Sequence, residues 1–131
     1  REYSALNDFT YLSMEQVDFL KGELASDEFK SASKRILFHH IPIYGMLGGN
    51  LCEPLWRPML DNAPFDLAFN GHTHWFAFPP VGKSENPYPV VIGGGRSVES
   101  ATVMVVTKRK DTLHLKVINH EGKVLLDWKD R

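Results

Sequence analysis

The apolar positions of this chain change their period partway along it. From Met14 to Ala25 they recur at helical spacing, with Val17, Phe19, Leu20 and Leu24 on the apolar face. Ser13-Met14-Glu15-Gln16 has the form of a capping box, which predicts an amphipathic helix over residues 14–25 with Ser13 as its N-cap. Residues 34–39 form a short apolar strand. Pro42 must end it, because proline donates no ladder hydrogen bond and pushes Ile41 into an extended conformation. A glycine-bearing loop over residues 45–50 comes next, then a short helix over 53–60 with Pro54 in its first turn and Pro58 making it irregular. Residues 65–70 read as a second short, buried strand.

After that strand the helical period disappears. Residues 76–78, 89–92, 100–107, 112–118 and 123–128 are all strand-like, with no helix pattern between them. The chain therefore reads as α/β (α+β): helix–strand alternation followed by a run of antiparallel strands, in one domain over residues 1–131. There is no internal repeat and no low-complexity tract.

The chemistry gathers at strand ends. The 65–70 strand runs directly into Gly71-His72-Thr73-His74, where Gly71 is expected to let the backbone turn sharply. The 34–39 strand runs into His39-His40-Ile41-Pro42. In α/β proteins, ligands collect outside the carboxyl ends of strands. A helical crossover between the two strands would make them parallel neighbours and bring His40, His72 and His74 to one rim. Imidazole is a common ligand for zinc, iron, copper and nickel, so these three are the candidate metal ligands. His39 is set aside as a hydrogen-bonded rim residue, because successive strand residues point to opposite faces. His114 alternates with Lys116 against Leu113, Leu115 and Val117, on the solvent side of a strand, and His120 lies in a hairpin turn, Asn119-His120-Glu121-Gly122. Gly93-Gly94-Gly95-Arg96-Ser97 lacks the Gly-Lys-Ser/Thr ending of a phosphate loop and reads as a glycine-rich bend.

Composition narrows the picture only a little. A 131-residue chain that is 43% apolar can bury a real core. Its net charge of −1 offers no field for nucleic acid or an anionic membrane, and the Lys108-Arg109-Lys110-Asp111 cluster reads as a solvated hairpin tip. No apolar segment is long enough to span a bilayer. Cys52 is alone, which excludes an internal disulfide. The sequence begins at Arg1, without an initiator methionine, and is expected to be a piece of a longer protein.

Leu37-Phe38-His39-His40-Ile41-Pro42-Ile43-Tyr44, then Phe65 to His74, then Val90-Val91-Ile92-Gly93-Gly94-Gly95 resemble, in order, the carboxyl-terminal half of a calcineurin-like metallophosphoesterase. The resemblance implies half of a four-layer αββα sandwich and a site for two divalent metal ions (Mn, Fe or Zn). His40 and His72 would bind one metal and His74 the other. It also implies a small phosphate-ester substrate, bordered by Tyr44, Trp75 and the 45–50 loop. Trp75 is placed either to stack on an aromatic leaving group or simply to pack its own loop. The family's Asp-x-His, Gly-Asp and Gly-Asn-His motifs are missing from this sequence, so no catalytic residue is assigned here and the chain alone is expected to be inactive with a partial or empty site. Two other readings stay open: a non-catalytic module holding a single zinc or a partner, and a fragment that self-associates through exposed strand edges.

Overall fold

The computed structural model describes residues 9–44 and 53–130. The first helix, α1 (Phe9–Ala25), begins before the expected cap, which leaves Ser13 inside the helix. Residues 9–12 hold no glycine or proline, and helix propagation costs little once a turn exists. Val17 is buried and Leu20 packs on the core, whereas Phe19 is 62% exposed. A residue two positions from Val17 falls on the far side of a 3.6-residue turn, so Phe19 lies off the buried stripe. A short second helix, α2 (Asp27–Ser31), is capped by Ser26, whose Oγ accepts from Phe29 N at 3.1 Å. Arg35 then donates to the carbonyls of Phe29 and Lys30 at its other end.

Three parallel strands form the first sheet: β1 (Ile36–Phe38), β2 (Leu67–Asn70) and β3 (Val90–Ile92), in that order. The helix α3 (Glu53–Leu60), with the bounds expected from the sequence, lies between β1 and β2 in the chain. Its position satisfies the parallel crossover requirement. The expected antiparallel run is corrected here, because β3 pairs parallel with β2 in register Ala68↔Val90 and Asn70↔Ile92. Residues 71–89 carry the chain back without a helix, and the expected 76–78 strand reduces to one antiparallel bridge, Ala77↔Ile92. Every residue of β2 and β3 is buried, the pattern of strands covered on both faces.

The second sheet is an antiparallel meander of β4 (Thr102–Arg109), β5 (Thr112–Asn119) and β6 (Val124–Lys129). Strand alternation divides the core in two. Ala68, Val90 and Ile92 face the helices and pack with Ile43, Leu60, Tyr88, Leu20 and Trp56. Leu67, Phe69 and Val91 face the second sheet and meet Leu113, Leu115 and Val117. The layers are therefore helix, sheet, sheet. At the amino ends of β1 and β2, Lys34 Nζ lies 3.0 Å from Asp66 Oδ1 and 2.6 Å from Asp130 Oδ2. Asp66 also accepts from Arg35 N, and Asp130 accepts from Leu113 N, so one lysine joins the two sheets. Among the described residues, the outer edge of β1 carries no strand, and Phe38 is 69% exposed while stacked on Phe69. No helix among the described residues is long and apolar enough to cross a membrane.

Two outcomes follow from this packing. Leu115→Ala, at a fully buried position between the sheets, is expected to lower stability by about 2–5 kcal/mol in urea unfolding. Hydrogen bonds to Asp130 and Asp66 raise the Lys34 pKa above its ordinary 10.5. A cation with a raised folded pKa stabilises fully below its unfolded value and loses that contribution as pH rises through the folded one. The stability gap between wild type and Lys34→Met is thus expected to be constant through neutral pH and to shrink only above pH 10.5.

Candidate functional site

The β1–β2 ladder does not stop where the strands are formally assigned. His39 N donates to Phe69 O at 3.1 Å, and Gly71 N donates to His40 O at 2.9 Å. These two bonds carry the parallel pairing one step beyond each strand and set His40 beside Gly71 and His72. The rings of His40 and His72 stand edge to face, with centroids 5.3 Å apart and planes at 85°. Both residues are exposed.

The turn that follows is built by the histidines themselves. His72 and His74 have φ of 68° and 63°, in the left-handed region, while Gly71 does not. The turn expected at Gly71 does begin there, since Thr73 N donates to Gly71 O at 2.8 Å, but the left-handed residues in it are histidines. A Cβ added to Gly71 would lie 3.5 Å from His40 Nδ1, which is ordinary contact. Left-handed backbone in a side-chain-bearing residue is uncommon and gathers at functional sites. Behind this turn lies the glycine bend. Gly93 N donates to Asn70 O at 2.8 Å, and Gly94 N donates to Thr102 Oγ1 at 2.8 Å. A Cβ on Gly95 would come 2.7 Å from the His74 carbonyl oxygen, and one on Gly94 would come 2.0 Å from Ser100 O. The bend needs glycine because the backbones meet there.

His74 is exposed, two residues past His72. Among the described residues no group of three or more His, Cys, Asp or Glu side chains could hold a metal ion. The structure thus brings His40 and His72 together, and His74 does not complete a three-ligand cluster with them. Two exposed imidazoles are donors of a type that divalent transition metals accept, and among the described residues no carboxylate joins them.

Sequence reading singled out no role for Asn70, which is 5% exposed at the end of β2. Its Nδ2 donates to His39 O at 2.9 Å, and its Oδ1 is buried with no hydrogen-bond partner. A polar residue closing an apolar strand just before Gly-His was the available signal. His39 has the hydrogen-bonded role expected of it: Nδ1 lies 2.9 Å from Ile41 O, and a carbonyl can only accept, so Nδ1 carries the proton. Burial holds the His39 pKa below its ordinary value, against the opposing hydrogen bond to Ile41.

The two candidate substrate residues have different surroundings. Tyr44 is 5% exposed in the helix-side core, where its hydroxyl donates to Asp61 Oδ1 at 2.9 Å and lies 3.3 Å from Tyr88 Oη. Burial raises the Tyr44 pKa and pushes that of Tyr88 up to about 12. Trp75, by contrast, is half exposed beside the histidine turn. The 45–50 loop and Cys52 lie outside the described residues. An apolar cleft of about 390 Å³ reaches His40 from the helix side, between Phe19, Leu20, Leu37 and Trp56. His114 lies on the outer side of β5 paired with Asp127 at 2.6 Å, and His120 sits in the β5–β6 turn.

No protein-family model matches this chain, and no curated protein matches it.

The left-handed backbone at His74 has a measurable consequence. His74→Gly is expected to be more stable than His74→Ala by about 1 kcal/mol in urea unfolding, because alanine keeps the strain that glycine relieves. Equal stability of the two variants would contradict the assigned backbone.

Proposed function

We propose that this chain carries the His-x-Pro and Gly-His-x-His half of a dinuclear metal-dependent phosphoesterase, and that it forms the carboxyl-terminal part of a four-layer αββα sandwich. The observation that carries this reading is the edge-to-face pair of His40 and His72, 5.3 Å apart at the carboxyl ends of adjacent parallel strands. The helix–sheet–sheet layering supports the same reading, since it supplies three of the four layers.

In this proposal His40 and His72 hold one divalent ion as neutral imidazoles, and His74 contributes to a second. When bound, such ions polarise phosphoryl oxygens and lower the pKa of bound water so that hydroxide forms near neutral pH. The chain's own part is positional. The extended ladder sets His40 beside His72, and the left-handed backbone at His72 and His74 forms the turn on which those two exposed histidines sit. Trp75 borders the phosphate ester from its exposed loop position, and the apolar cleft beside His40 takes the organic part of the substrate. Tyr44 is assigned to packing, because its hydroxyl is already engaged. The sequence holds no Asp-x-His, Gly-Asp or Gly-Asn-His, so a bridging carboxylate and a general acid must come from elsewhere.

A second reading, a non-catalytic module holding a single zinc, is favoured by the pairing of only two histidine rings. One set of measurements separates the two. With Mn²⁺ and p-nitrophenyl phosphate, the purified chain is expected to turn over no faster than the His40, His72 and His74 triple-alanine variant. Turnover well above that variant would sink the claim that the chain is inactive alone. Zn²⁺ is expected to bind and to be lost on dialysis; one ion per chain retained through dialysis, and lost in His72→Ala, selects the single-zinc module.

A further inference from the structure

We propose that Asn70 is the positioning residue for the paired histidines, its carboxamide locking the turn that presents His40 to His72. Asn70 closes β2 immediately before Gly71-His72, and His39 is the residue immediately before His40. The amide therefore crosses between the two strands at the level where the histidines begin. Its Nδ2 donates to the main-chain oxygen of His39 at 2.9 Å, beside the His39 N–H···O Phe69 ladder bond. Strand β1 is only three residues long, so this side-chain bond adds a restraint where the ladder is shortest.

The unpartnered Oδ1 is explained by the same bond. Flipping the amide would offer that oxygen a different environment, but it would also set Oδ1 against the His39 carbonyl, acceptor facing acceptor. Buried polar atoms are rarely left unpaired, and here one acceptor is given up so that the donor can be used. The His39 ring closes the other side. Its Nδ1–H donates to Ile41 O at 2.9 Å, bridging the residues on either side of His40. The Asn70 amide nitrogen lies 2.9 and 2.8 Å from the two ring nitrogens, so it stands against the ring as well as on the carbonyl. His40 thus projects from a turn held at both ends by groups that are not themselves ligands. Partners outside the ligand shell that orient metal-binding histidines are typically worth 10–100-fold in metal affinity.

The orienting role is independent of any metal, whereas its effect on affinity rests on the reading above. The test uses the isotope-labelled chain and Co²⁺ alone as the probe. In the wild type, the Asn70 Nδ2 hydrogens are expected to exchange slowly with water, and a nuclear Overhauser contact is expected between the His40 and His72 rings. Asn70→Leu keeps the approximate size and removes the donor without adding a charge or an acidic proton. It is expected to lose that ring contact with the core resonances retained, and to weaken Co²⁺ binding about 10–100-fold. His39→Ala leaves the main-chain acceptor in place but removes the bond to Ile41. It is expected to keep most of the ring contact, and a loss as large as that in Asn70→Leu overturns the assignment to the carboxamide. An Asn70→Leu protein that retains both the ring contact and wild-type Co²⁺ affinity overturns the proposal. Should that variant not fold, rapid exchange of the wild-type Asn70 amide overturns it equally. A wild type with slow exchange and the ring contact, but no Co²⁺ binding, upholds the latch and removes the metal reading instead.

Discussion

Everything proposed for this protein depends on the parallel pairing of β1 with β2, and above all on its last two rungs. The bonds from His39 N to Phe69 O and from Gly71 N to His40 O are main-chain bonds, indifferent to side-chain identity. They nevertheless decide which side chains meet. A parallel ladder brings together residues that are distant in sequence and both lie at strand carboxyl ends, the place where α/β sheets gather ligands. The rest of the fold keeps that ladder in place. The helices cover one face of the sheet and the antiparallel meander covers the other, so β2 and β3 are buried throughout. The Lys34 ion pairs clamp the opposite end of the strands to the second sheet.

The core and the rim differ in the quality of their local geometry. The core is apolar and alternates cleanly. The rim holds two histidines with left-handed backbone, a buried amide oxygen without a donor, and glycines wedged against a carbonyl. The left-handed φ values and the unpaired oxygen are each unfavourable in isolation, and they lie within a few residues of one another. Local departures from good backbone and hydrogen-bond geometry persist where the surrounding structure enforces them, and such sites are commonly functional. Glu85 and Lys110 also have left-handed φ, in turns away from the histidines, so it is the combination with the buried unpaired oxygen that sets this rim apart.

The elements were largely legible from sequence, and the reasons for the failures are physical. Helix α3 and strands β2, β5 and β6 fall close to where period and punctuation put them, because those signals are local. The direction of β3 was not legible: Val90-Val91-Ile92 announces a buried strand, but nothing in three apolar residues names its partner. Ser13 resembled a cap, yet helix propagation through Phe9 to Leu12 overrode it. At the site, His40 and His72 were readable as strand-end residues with a crossover between them. The left-handed φ values were not, since Gly71 offered a simpler place to turn. Tyr44 follows Pro42 at a strand exit and reads as rim, but its burial depends on Tyr88 and Asp61, both remote in sequence. Asn70 was passed over for the same reason, as its partner lies 31 positions away.

The central claim is that His40 and His72 act as one ligand pair because the ladder places them together. A double-substitution cycle on Zn²⁺ affinity, with His40→Ala, His72→Ala and the combined variant, tests it most directly. If the rings share an ion, either single substitution lowers the affinity nearly as far as the double does. Independent losses that simply add, or wild-type affinity in both single variants, would contradict the account.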